Sequence, residues 1–186
     1  MKKIKNDNKG FTLVELIVVL VILAILAAIL VPALLGYIDE AKSKQLELHG
    51  KSVYTAAQAV SSELYAKGIK PTDSSKTVGG KDANQYFADR IMDISDVDEF
   101  GSESIKVKIG FKSGSDKHAA YTVDYICYGE GETTGSGASA TTTYTYVELT
   151  GGSWNSTTTP AADTTLSNPI TITFAKSGTT WTATIE

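Results

Sequence analysis

Lys9-Gly10-Phe11-Thr12-Leu13-Val14-Glu15-Leu16 decides the reading of this chain. It joins a lysine-rich start to a long apolar run that holds one carboxylate, Glu15. From Leu16 to Ile38 no charged residue occurs. A membrane-spanning helix needs about 20 consecutive apolar residues, so this run is long enough to cross a bilayer. A carboxylate at the centre of such a helix costs about 2.5–3.5 kcal/mol, less near the edge. A plain anchor has no use for it, so Glu15 is expected to meet a partner.

Three readings compete for this segment. A secretory signal peptide fits the basic start, but the apolar run is long, no A-x-A site follows, and Glu15 sits where such a peptide is most apolar. A single-pass anchor fits better. Lys2, Lys3, Lys5 and Lys9 would then keep the N-terminus in the cytoplasm and place the rest outside. The third reading rests on the whole string. The basic leader, the Gly10-Phe11 junction, Thr12, Leu13, Glu15, the apolar helix and Pro32 together resemble the processing site of type IV prepilins and pseudopilins, in their type IVa-like branch.

That resemblance implies a membrane peptidase that cuts between Gly10 and Phe11 and N-methylates Phe11. The leader would be residues 1–10. Residues 11–38 would be the transmembrane and assembly half of a long helix, and 39–68 its amphipathic half. Residues 69–186 would be an αβ-loop and antiparallel sheet, so the fold class expected is the α+β pilin fold. Glu15, about one helical turn from Phe11, would meet the new amine of Phe11, its own or a neighbour's. The partners implied are further copies of the chain in a filament, the prepilin peptidase, the assembly machinery, and the membrane before assembly. The function implied is a structural subunit of an extracellular pilus for adhesion, aggregation, biofilm formation and twitching motility. The alternatives are a pseudopilin of a type II secretion or DNA-uptake system, and a minor or tip pilin with a ligand-binding head.

Pro32 removes one helical hydrogen bond, which predicts a bend near residues 28–32. Ala24, Ala27 and Ala28 oppose melting there. Beyond Ile38 the pattern becomes amphipathic: Leu46, Val53 and Val60 with Ala57 and Leu64 make one apolar stripe for packing on a sheet. Lys42, Lys44, Glu47, Lys51 and Glu63 lie opposite, and His49 lies on this polar helix. Lys67-Gly68 and Pro71 end the helix.

Asp82 is expected to cap a short helix reaching about Asp93, with Tyr86, Phe87, Ile91 and Ile94 inward. The acids Asp93, Asp96, Asp98, Glu99 and Glu103 suit a solvated loop or subunit contact better than a calcium site, since their spacing lacks the EF-hand pattern. Ile105, Val107, Ile109 and Phe111 alternate as a half-buried strand. Tyr121, Val123, Tyr125 and Cys127 read as the next inward row. Residues 129–141 read as a loop, Thr142–Leu149 as a strand, and the stretch through Trp154 and Pro160 as another loop. A closing hairpin pairs Ile170, Ile172 and Phe174 with Trp181, Ala183 and Ile185.

Cys127 is the one cysteine, so no intramolecular disulfide can form; a lone thiol on a strand reads as a small core residue. The net charge of −4 and scattered lysines argue against nucleic-acid binding. His49 and His118 have no nucleophile or ligand motif beside them, so no catalytic site, cofactor or metal is expected. Asn155-Ser156-Thr157 matches a glycosylation sequon, a short pattern that often occurs by chance.

Overall fold

The computed structural model describes residues 11–135 and 139–186. The expected leader 1–10, with Gly10, lies outside the described residues, as do positions 136–138 of the expected loop at 129–141. Helix α1 is Leu13–Ala66 and passes through Pro32 without interruption. The chain divides into two units between Lys42 and Ser43. In the first, every residue from Phe11 to Lys42 is exposed.

The second unit begins with the rest of α1. Leu46, Gly50, Val53, Ala57, Val60 and Leu64 are buried there, at alternating steps of four and three. That spacing keeps one helix face against a partner. Gly50 marks the closest approach: a Cβ there would lie 2.7 Å from Cζ3 of Trp154. The helix ends in a Schellman motif, with Ile69 N–H on Leu64 O at 3.0 Å and Gly68 N–H on Tyr65 O at 2.9 Å. Gly68 supplies the positive φ of 68° which that motif requires.

A two-stranded hairpin, β1 (Thr77–Val78) and β2 (Lys81–Asp82), leads into helix α2 (Ala83–Ser95). Sequence reading missed the hairpin because its strands are two residues each. Asp82 occupies the N-cap of α2 but its side chain makes no capping bond. Phe87, Ala88, Ile91 and Ser95 form the buried face. Ile94 is exposed rather than inward, because steps of four from Phe87 through Ile91 select Ser95. Ser95 satisfies its hydroxyl by donating to Ile91 O at 2.6 Å.

The main sheet is antiparallel, with six strands in the order β6-β5-β4-β3-β7-β8. They are β3 (Ser104–Phe111), β4 (Val123–Thr134), β5 (Thr141–Thr150), β6 (Ser153–Thr157), β7 (Ile170–Ser177) and β8 (Thr180–Ile185). Ile105, Val107 and Ile109 join Ile170, Ile172 and Phe174 in one core with the α1 stripe and Phe87. The closing hairpin has the expected pairs: Ile172 opposite Ile185 and Phe174 opposite Ala183.

The row expected on β4 holds at Val123 and inverts beyond it. Gly110 pairs with Tyr125, but Phe111 pairs with Val123, which leaves Asp124 as an extra residue. One inserted residue shifts every later side chain to the other face. Val123, Ile126 and Tyr128 therefore face the helix and join the core, while Tyr125 and Cys127 take the outer face. Tyr121 ends a 3-10 turn, Ala119–Tyr121, before the strand begins. Two expected loops are also partly strand. β4 continues to Thr134 opposite β5, and Ser153–Thr157 forms edge strand β6 across Gly151-Gly152.

On the outer face, Ala161, Asp163 and Leu166 meet the residues that neighbour Cys127. Leu166 packs on Gly110, where a Cβ would lie 3.4 Å from its Cδ2. Ala161 N–H donates to the Tyr125 hydroxyl at 2.8 Å, and Lys108 Nζ donates to Ala161 O at 2.6 Å. Lys108 also pairs with Asp163 at 2.6 Å. Burial pushes the Cys127 thiol up to about 12.

Candidate assembly site

Thr12 precedes the first helical residue and Glu15 follows three positions later. This is the capping-box spacing. The Glu15 Oε2 atom accepts the Thr12 N–H at 2.9 Å and the Thr12 hydroxyl at 2.7 Å. In return, Glu15 N–H donates to Thr12 Oγ1 at 3.2 Å. The helix thus satisfies donors that every α-helix start leaves open. Among the described residues no hydrogen bond reaches Glu15 Oε1. Phe11, one residue before the cap, is 88% exposed. The Thr-x-x-Glu pattern is readable in the sequence as a helix start.

Pro32 lies within α1, and the apolar residues around it are exposed. Leu46, Val53, Ala57, Val60 and Leu64 lie in the buried core of the second unit, together with Gly50 and Ala56. The structure therefore places the sequence-derived residues in two separate sets. Phe11, Glu15 and Pro32 belong to the exposed apolar segment, and the five stripe residues to the core.

His49 lies on α1 and is half-buried. Its ring stacks on Phe100, with centroids 4.1 Å apart and planes 6° apart. Its Nδ1 lies 2.6 Å from Glu130 Oε1, which also accepts the Tyr128 hydroxyl at 2.7 Å. Burial, with Glu130 beside it, raises the Tyr128 hydroxyl above its ordinary value. No local pattern could reveal this cluster, because His49 and Glu130 are 81 residues apart. Of the acidic stretch, Asp93 faces Arg90 at 3.6 Å and Asp96 ends α2 in the left-handed region. Among the described residues, no three His, Cys, Asp or Glu side chains gather as a metal site. Asn155 sits on edge strand β6, with its amide donating to Ser153 O at 3.2 Å.

Residues 5–31 match the family described as the prokaryotic N-terminal methylation motif, the signal motif of type IV pilins and pseudopilins. The match covers the Gly10-Phe11 junction, the capping box and most of the exposed apolar segment. No curated protein and no solved structure matches the chain. The motif supports a protein of the type IV pilin or pseudopilin class, and its apolar helix fits a membrane-anchored pilin.

Proposed function

We propose that this chain is a type IV pilin, cut between Gly10 and Phe11, methylated at Phe11 and polymerised into an extracellular filament. The observation that carries the reading is the coincidence of the methylation motif with a helical segment, residues 13–38, whose apolar residues are all exposed. Burying one Leu, Ile or Val side chain is worth about 1.5–3 kcal/mol. A helix apolar on every side therefore needs surroundings its own fold does not supply. The bilayer supplies them before assembly, with the prepilin peptidase and assembly machinery acting there. Neighbouring helices supply them in the filament.

Glu15 sets the register of that exchange. Cleavage turns the Phe11 nitrogen into an ammonium about one helical turn from the carboxylate. The capping box engages one carboxylate oxygen and leaves the other for that cation, on the same protomer in the membrane and on a neighbour in the filament. Two charges that are each costly in lipid are neutralised together. Apolar helices alone slide past one another, whereas a charge pair fixes one axial offset. The filament then serves adhesion, aggregation, biofilm formation and twitching.

Mass spectrometry of sheared surface material tests the reading. The first residue is expected to be Phe11 with one added methyl group. Extracellular protein that retains residues 1–10 sinks it.

A further inference from the structure

The two margins of the sheet are guarded unequally. A strand at an edge exposes N–H and C=O groups that invite another strand, and folded proteins blunt such edges with charge, proline, a bulge or a cover. Strand β8 is blunted. Helix α2 packs along it, and the Gln85 amide donates to Ala183 O at 2.9 Å. Lys176 Nζ stands 5.9 Å from the Trp181 ring centre. Strand β6 has none of these devices. Ser153–Thr157 holds no charge and no proline, and it pairs with β5 without a bulge.

The turn before β6 decides which of its backbone groups are open. Gly151 and Gly152, at φ 60° and 82°, form a two-residue turn that closes on the Thr150–Ser153 pair. Such a turn makes its flanking pair a hydrogen-bonded one, and bonded and non-bonded pairs alternate from there. Ser153, Asn155 and Thr157 therefore direct their N–H and C=O groups to β5. Trp154 and Ser156 turn theirs outward, and among the described residues no further hydrogen bond reaches them. Ser153, Asn155 and Ser156 are exposed.

We propose that β6 pairs antiparallel with β6 of a second copy of this chain, around a two-fold axis at Asn155, and that such pairs tie one filament to another. The link between filaments presupposes the polymerisation proposed above. The register is self-complementary. Trp154 meets Ser156 of the second copy, and Ser156 meets its Trp154, as hydrogen-bonded pairs. Asn155 then faces Asn155, and an amide both donates and accepts, so it suits its own copy. Charge, size and symmetry select this occupant. Residues 149–162 carry no charged side chain in a chain of net charge −4. Two like-charged copies therefore meet here without setting charge against charge, and a charged partner finds nothing to pair with. A contact of five residues a side is far smaller than the about 1,200 Å² of a stable complex. One pair is weak, and rows of identical subunits turn weak pairs into lasting attachment. Copies within a helical filament meet head to tail, whereas a two-fold contact joins the same patch on both partners and closes, so the second copy belongs to another filament.

Disulfide trapping of the full processed chain in detergent micelles tests the pairing, since Cys127 is buried and an added thiol reports alone. Asn155→Cys should form a dimer at least about tenfold faster than Thr182→Cys on guarded β8, because residues opposed in a non-hydrogen-bonded pair lie within disulfide reach. Ser153→Cys mixed with Thr157→Cys should cross-link about tenfold faster than either alone. Ser156→Pro removes an outward donor and leaves the β5 ladder whole. Added to Asn155→Cys, it should slow trapping about tenfold; should that variant fail to fold, the mixed pair decides the register. Asn155→Lys sets two ammonium groups face to face. Its sheared filaments should form in undiminished amount and lie apart under the electron microscope, where unaltered filaments lie in bundles. Trapping no faster than for Thr182→Cys, Ser153→Cys linking to itself as fast as to Thr157→Cys, or bundles that survive Asn155→Lys overturns the proposal. Trapped dimers from a chain that yields no filament overturn the polymer reading and support the pairing.

Discussion

Residues 13–38 and 43–66 belong to the same helix and meet opposite fates. The first stretch is apolar on all sides, and its large hydrophobic residues are 41–75% exposed. The second is apolar along one stripe, and Val53, Ala57, Val60 and Leu64 are fully buried against the chain's own sheet. The difference lies in where the hydrophobic free energy is realised. A stripe is satisfied by folding, and an all-round apolar surface is satisfied only by another medium or another molecule. Stability of the head and association of the exposed segment are therefore separable quantities, governed by different residues of one helix.

Glu15→Ala probes the separation most strongly. Sheared surface filament should fall by at least about tenfold, since an intramembrane acid without its role leaves no charge register. The melting temperature of the head should not move. A head that melts earlier in this variant would break the separation.

Cys127 tests how completely the second unit closes itself. Thiolate is the reactive form, and burial holds this thiol protonated, with its pKa up to about 12. In native protein near pH 8, alkylation by iodoacetamide should be slower than for a free cysteine by about a thousandfold, because so little thiolate exists. Unfolding should restore one rapid adduct.

Gly50→Val acts where the helix and Trp154 touch. Even a Cβ would lie 2.7 Å from the indole, and overpacking of this kind costs about 1–3 kcal/mol. Thermal melts should show the loss, and the filament should keep its register while the head weakens.

The smallest effect belongs to Glu63. The Lys67 ammonium and then the Tyr86 hydroxyl, each at 2.6 Å, hold its carboxyl below the ordinary value. A depressed folded pKa gives stability that is present above the unfolded pKa and lost as pH falls through the folded one. Glu63→Gln should cost about 0.5 kcal/mol near neutrality after solvent screening. Melts of the two proteins should converge as pH falls from about 5 toward about 2.

Strict alternation in Ile105–Phe111 and in the 170–185 hairpin made those strands and their buried faces legible. The same period-two logic inverted β4, because the bulge at Asp124 leaves no mark in an apolar pattern. Strand β6 escaped notice because Ser153-Trp154-Asn155-Ser156-Thr157 holds one large apolar residue, and its pairing partner supplies the rest. Gly50 reads as a defect in a helix until Trp154 is set beside it. At the N-terminus the position of Glu15 was legible from its cost in lipid. Its bonding to Thr12 followed from a capping pattern that the membrane argument overshadowed.

Trp154 and Trp181 stand on the two opposite margins of the sheet, in β6 and β8. The indole of Trp154 rests against the helix backbone at Gly50, so its emission wavelength is a natural gauge of whether that margin is closed. With Trp181→Phe as background, detachment of the helix could be followed by light alone, without an attached dye, in single subunits and in growing fibres alike.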